Sequence, residues 1–431
     1  MKIVTGFEKA RLALVRQSRE VSPEDKAQEE TIRQIISEVR RRGDAALFDY
    51  TEKFDGVSLA SLEVSNKIIN QAYKGLDAGL LAALRLAAER IAAYHTKQKK
   101  ALLRESTVSH LGWLVRPLER IGVYVPGFQA PLPSSLLMTV VPARVAGISE
   151  IIVVTPPDKS GSVSPVTMAA AKIAGVDRVF SIGGAQAIAA LAYGTASVPR
   201  VDKVCGPGNI YVTLAKKQVF GDVGIDGLYG PSEVVIIADA TADAEYVAAD
   251  LLAQAEHGNL PSAILLTTSR SVANAVSREI DKQLATLERR NIIAESLEKR
   301  GVIAVVNSVN QAVSLANLYA PEHLCLVVKN AASYIGKVKN AGCLFVGDNA
   351  VEALVDYVAG PSHVLPTEGT ARFGSPLNIL DFIKLISLVK TDENDVEKLA
   401  RAAAAIARAE GLDAHARAAE KRLRDIPQGG T

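Results

Sequence analysis

The sequence predicts an α/β fold with two parallel-sheet domains and helical extensions at the N- and C-termini. Short runs rich in β-branched residues alternate with Ala-rich helical runs. Those runs are apolar throughout rather than at alternate positions, as strands covered on both faces require. The alternation occurs twice, over roughly residues 123–232 and 233–346.

The chain up to about residue 110 reads mostly as helix. Apolar residues return at three- and four-residue spacing in ETIRQIISEVRRRGDAALFDYTEKF and again around LLAALRLAAERIAAYHTKQKK. The texture changes near Trp113, in PLERIGVYVPGFQAPLPSSLL. The first block then sets the strands EIIVVTPP, VDRVFSIGG and VDKVCGPG between the helices MAAAKIAG, AQAIAALAYGT and NIYVTLAKKQVFG. The second sets VVIIADAT, SAILLTTS, GVIAVVNS and AGCLFVG around EYVAADLLAQAEHG and a charged helix. After Arg372 the pattern turns helical, through DVEKLARAAAAIARAE, a break at Gly411, and DAHARAAEKRLRD. That Ala/Arg-rich tail has little bulky apolar surface, so it is expected to pack on another domain or another subunit. The expected boundaries are an N-terminal helical extension over 1–24, a first α/β domain from 25–122 plus 233–377, a second over 123–232, and a helical tail over 378–431.

With 431 residues the chain can bury a large core. Its 49 basic and 47 acidic side chains give a net charge of +2, spread without a long basic stripe, which argues against nucleic acid. The run KQKKA reads as a solvated helix face. Apolar stretches fall short of a membrane span, and MKIVTGFEKARLALVRQ is charged too early for a signal peptide. Cys205, Cys325 and Cys343 form no CxxC, which fits a reducing compartment. A cytoplasmic enzyme or binding protein is expected.

Four of the six histidines, His257, His323, His363 and His415, stand beside a carboxylate or amide in short polar segments next to Gly or Pro. His95 and His110 have no such company. Gln254 and His257 lie three residues apart and share a helix face, with Gly258 as terminator. Asp356 offers a carboxylate and His415 an imidazole near a helix start. Two His, one Asp and one Gln suit zinc; taken singly, each His is equally an ordinary hydrogen-bonded residue. Glu322 and His323 precede an apolar strand, and Pro321 marks a tight entry. Adjacent carboxylate and imidazole can divide water activation from proton transfer, or form a plain surface step. Cys325, beginning that strand, reads as a buried structural thiol. The turns in GGAQAIAALAYG and CGPGNIYV could offer backbone amides to an anion or serve only as tight βα turns. Ser232, after Gly-Pro, could meet a substrate or simply open a strand.

Together these segments resemble histidinol dehydrogenase. The chain carries, in order, PLERIGVYVPG, PSSLLM, PARVAG, GGAQAIAALAYGT, VDKVCGPGNIYV, VGIDGLYGPSEV, ADLLAQAEHG, YAPEHL, AGPSHVLPTEGTARF and EGLDAH, from about Arg11 to the last helix. The resemblance implies two Rossmann-like domains and one zinc ion per subunit held by Gln254, His257, Asp356 and His415. It implies Glu322 as water-activating base and His323 as proton carrier, with Ser232, His363 and Glu410 touching substrate. Tyr124, Gln186 and Asn209 match positions lining NAD. It further implies a homodimer in which Glu410 and His415 complete the neighbouring subunit's site. The implied chemistry is a four-electron oxidation of L-histidinol, through a retained aldehyde, to L-histidine with two NAD. Two features depart from the family pattern: Phe128 follows VPG where a small residue is usual, and GDNAVEALVDY lacks the Ser/Thr-Pro step before Asp356. Rival readings are a same-fold dehydrogenase of another small alcohol such as a sulfonated diol, a zinc hydrolase, and a silent metabolite binder.

Overall fold

Thirteen strands among the described residues form three sheets in the computed structural model, which describes residues 1–16, 23–103, 111–127, 131–258, 260–391 and 393–423. Phe128 and His110 lie outside the described residues. In chain order the strands are β1 (Lys2–Thr5), β2 (Leu111–Pro117), β3 (Arg120–Tyr124), β4 (Glu150–Thr155), β5 (Arg178–Ser181), β6 (Lys203–Cys205), β7 (Gly224–Ile225), β8 (Glu233–Ala238), β9 (Ser262–Thr267), β10 (Val302–Val305), β11 (His323–Val327), β12 (Cys343–Val346) and β13 (Ile383–Val389). The chain divides into two units, Met1–Lys99 with Leu118–Phe382, and Lys100–Pro117 with Ile383–Thr431.

The first unit contains two parallel sheets. One runs β1-β10-β9-β8-β11-β12, the other β5-β4-β3-β6-β7. Strands β8 (EVVIIA) and β9 (SAILLT) are buried along their whole length. Their alternate residues feed separate cores, as the two-residue period of a strand demands. Val234, Ile236 and Ala238 pack with Leu251, Ile280 and Ile293 from helices Ala244–Ala255, Arg270–Leu284 and Arg290–Arg300. On the opposite face Val235 and Ile237 meet Ala10, Ala312 and Leu315. Each Val, Leu or Ile among them contributes roughly 1.5–3 kcal/mol when fully buried. Both sheets therefore explain why their strands lack polar alternation.

Three expectations are corrected. The N-terminal segment is not helical throughout: Lys2–Thr5 pairs in register with Val302–Val305 as the edge of the six-stranded sheet. A four-residue run is too short to show periodicity, and its backbone partners lie far away in sequence. The helices Pro23–Arg42 and Asp44–Asp55 pack on the five-stranded sheet, through Ile32, Ile35, Val39, Ala46 and Leu47 against Phe180, Ile188 and Val204. They thus belong with the 123–232 block rather than with the 233–377 block.

The third correction concerns the second unit. Its tail is not purely helical: Ile383–Val389 forms an antiparallel ladder with Leu111–Pro117. The β-branched and apolar run IKLISLV supplies the strand. Helices Glu393–Ala409 and Asp413–Lys421 follow and join through a small alanine core of Ala404, Ala407 and Ala416. No helix among the described residues is long and apolar enough to cross a membrane.

Candidate functional site

The two sheets of the first unit present opposite edges to chemistry. In the five-stranded sheet the chain leaves β3 toward β4 and returns to its other side at β6, so the carboxyl ends of β3 and β6 flank a topological switch point, the usual ligand crevice of such sheets. Tyr124 ends β3 there. Its hydroxyl accepts a hydrogen bond from the Gly184 N–H at 3.3 Å, and burial raises its pKa to about 12. Gln186 follows on the helix Gly184–Tyr193, and its buried Oε1 has no partner. Asn209 caps the helix Ile210–Val219, its Oδ1 accepting from Val212 N–H at 3.1 Å. Gly206 (φ 104°) passes so close to Tyr124 that a Cβ would stand 2.2 Å from the Tyr124 carbonyl oxygen. The residues present suit a dinucleotide: open backbone turns, an unpartnered acceptor and a phenol at one crevice.

In the six-stranded sheet the polar cluster lies at the amino ends of β8 and β11, where Glu233 and His323 begin their strands. Helix Ala244–Ala255 starts at Asp243, whose carboxylate caps Glu245 N–H. The helix ends one residue beyond Gln254, so His257 sits just past it rather than in its last turn. Helix Glu352–Tyr357 presents Glu352 and Asp356, four residues apart and hence on one face. Its N-cap Val351 makes no side-chain cap, the local result of the missing Ser/Thr-Pro step. Ligand atoms of His257, Glu352 and Asp356 all lie within 4.8 Å of one another, a group that could hold a cation.

Several buried atoms here have no hydrogen-bond partner: both amide atoms of Gln254, Nε2 of His323 and Oε2 of Glu352. Buried polar groups are nearly always satisfied, so this concentration fits a cation and a polar ligand. Hard oxygen and imidazole nitrogen donors suit zinc. Burial raises the Asp356 pKa to about 6 and drives Glu352 well up, with Asp356 and Glu322 reinforcing the shift.

His323 Nδ1 lies 3.2 Å from the Glu233 carbonyl, 3.6 Å from Glu352 Oε1 and 3.7 Å from Glu322 Oε2. A carbonyl can only accept, so Nδ1 carries the proton and Nε2 keeps its lone pair. Nε2 is 4.0 Å from Asp356 Oδ1. Burial lowers the His323 pKa to about 3, which leaves the ring neutral near pH 7. Glu322 is buried, accepts from Glu233 N–H at 2.8 Å, and is pushed well above the carboxylate range by desolvation. His363 donates from Nδ1 to the Asp356 carbonyl at 2.8 Å and takes Ser135 Oγ at 3.3 Å on Nε2. Burial lowers its pKa to about 4. Ser232 is half-buried immediately before β8. Cys325 is buried, with its thiol pKa raised by desolvation.

Glu410 and His415 belong to the second unit, where both are exposed, His415 on helix Asp413–Lys421. Glu352 was missed from sequence, although its spacing from Asp356 repeats the same-face logic of Gln254 and His257. Arg16 and Glu233, whose ion pair backs the cluster, carried no sequence signal beyond Glu233 following Ser232.

Residues 17–423 match the histidinol dehydrogenase family model. A histidinol dehydrogenase of Dehalococcoides mccartyi (strain CBDB1) is 53% identical over 98% of this chain and 100% of its own. One from Deinococcus radiodurans is 51% identical over 92% and 91%. The crystal structure of histidinol dehydrogenase from Elizabethkingia anophelis superposes with a TM-score of 0.92 at 35% identity, covering 99% of this chain and 98% of that one.

Proposed function

Because the chain belongs to the histidinol dehydrogenase family, we propose that it oxidises L-histidinol through the aldehyde to L-histidine, reducing two NAD in succession. This is the end of histidine biosynthesis, carried out by a cytoplasmic homodimer. The observation behind the chemistry is a buried Glu322, a His323 with a free Nε2 lone pair, and the His257, Glu352 and Asp356 group whose ligand atoms could hold a cation.

Gln254, His257 and Asp356, with His415 of the partner subunit, would hold one zinc ion per subunit; bound there, it supplies a Lewis acid that orients substrate. Tyr124, Gln186 and Asn209 would line NAD, whose nicotinamide supplies the hydride acceptor. His323 Nε2 takes the proton of the substrate hydroxyl as hydride departs. Its depressed pKa keeps it unprotonated and ready, and Nδ1–H anchored on Glu233 fixes the tautomer. Glu322, once ionised, takes a proton from the water that attacks the aldehyde, while protonated His323 returns its proton to the aldehyde oxygen, giving the hydrate and freeing Nε2; burial makes Glu322 a stronger base than an exposed carboxylate. His323 then receives the hydrate's hydroxyl proton for the second oxidation. Such acid/base help is worth about 10²–10⁴-fold in rate. Ser232, His363 and Glu410 of the partner subunit would contact the substrate's polar groups.

The test is anaerobic NADH formation from limiting L-histidinol with zinc-loaded protein. Two NADH per histidinol, histidine as product, and loss on chelation reversed by zinc are expected. One NADH with free aldehyde would remove Glu322 from its role, and none at full zinc occupancy would overturn the reading.

A further inference from the structure

A single residue holds both members of the Glu322–His323 pair. The Glu233 N–H donates to Glu322 Oε2 at 2.8 Å, and the Glu233 carbonyl accepts from His323 Nδ1 at 3.2 Å. Wherever the Glu233 backbone sits, the two reacting side chains are aimed accordingly.

The Glu233 side chain is itself gripped. Its buried carboxylate takes both terminal guanidinium nitrogens of Arg16, Nη1 on Oε1 and Nη2 on Oε2, the latter at 2.6 Å. It also accepts from the Glu368 N–H, and Glu368 holds a left-handed backbone at φ 53°. Arg16 is fixed in turn: Nε donates to the Tyr319 carbonyl at 3.0 Å, and the guanidinium lies 3.9 Å over the Tyr319 ring. Bidentate pairing and ring stacking together set the guanidinium's plane, which lysine's point charge cannot do. A buried ion pair is weak evidence for stability as such. This pair is distinctive because the backbone of one partner carries the two groups that must be aligned.

We propose that Arg16 is a positioning residue for the reaction, which through Glu233 fixes the placement of Glu322 and His323. The inference rests on the reading of those two as base and proton carrier. Misplacement of reacting groups by about 1 Å can cost on the order of 100-fold in rate.

The experiment uses the full-length, zinc-loaded enzyme with saturating L-histidinol and NAD. Arg16→Ala, Arg16→Lys and the double variant Arg16→Met with Glu233→Gln are compared; the double variant leaves no buried charge alone and decides the matter if Arg16→Ala does not fold. Expected is a kcat lower by about 10–100-fold in Arg16→Ala and in the double variant, partly restored in Arg16→Lys. Zinc content and calorimetric affinity for histidinol should stay unchanged. A zinc-replete, folded variant with wild-type kcat overturns the inference, as does a loss confined to histidinol affinity. Glu322→Gln is run in parallel. Should it keep full turnover, the assignment of the base fails; should it lose turnover while Arg16 variants keep it, only the positioning role fails.

Discussion

His323 and His95 are both buried imidazoles that hydrogen-bond a backbone carbonyl, yet their surroundings give them different duties. His95 Nδ1 sits 2.9 Å from the Ile91 carbonyl, one helical turn back, and lies within the helix Ala78–Leu102. His323 faces carboxylates and an unfilled lone-pair direction. The bare sequence separated the two only by company: His95 has no adjacent carboxylate, whereas His323 follows Glu322. Desolvation lowers the His95 pKa, so the unfolded chain binds a proton that the folded chain refuses. Its contribution to stability is therefore full above about pH 6.5 and lost as pH falls below that value. In His95→Gln, urea unfolding at pH 7, 6 and 5 should show a shallower acid slope, by at most about 1.4 kcal/mol per pH unit. Parallel slopes would show that the ring protonates without unfolding.

At the scale of elements, legibility followed length and locality. The apolar strands β8, β9 and β11 and the helix Ala244–Ala255 declare themselves through uniform or periodic patterns. Lys2–Thr5 and Ile383–Val389 do not, since each becomes a strand only by pairing with distant chain. Glu352 hid for another reason: its six-residue helix is too short to display a period, so only Asp356 drew notice. The turn after β6 offers a sharp test at this scale. Gly206→Ala adds a methyl against the Tyr124 carbonyl as well as forcing a left-handed backbone on alanine. It should cost about 2–5 kcal/mol and abolish measurable NAD binding. Gly56→Ala, at φ 75° with nothing within 4 Å of the added atom, is the control and should cost only about 1–2 kcal/mol. Urea midpoints and NAD titrations of both variants decide it; equal costs would mean the turn can move away from β3.

For the molecule as a whole, the two sheets share one winding plan, but the proposed sites use opposite ends of their strands, carboxyl ends for the proposed NAD crevice and amino ends for the Glu322–His323 pair. A pattern of strands and helices reveals the winding; it carries no mark of which edge holds the reacting groups. The assignment of His415 to a neighbour's site has a direct test in mixed dimers. Co-refolding His415→Ala with Glu322→Gln chains, each inactive alone, should give heterodimers with one intact site. A statistical mixture then recovers about a quarter of wild-type activity, as twofold symmetry dictates. No recovery, with mass spectrometry showing heterodimers present, would place each chain's own tail at its own site.

If the proposed zinc site is filled in the cell, the buried polar atoms of Gln254, His323 and Glu352 that lack partners would tie the protein's abundance to its surroundings. Whatever satisfies them binds the folded chain alone and raises its stability by mass action. With zinc in the proposed site, scarcity of that ion would leave the same polypeptide open for more of the time and speed its proteolysis. Its cellular lifetime would then report metal supply, before any change in the rate of its synthesis.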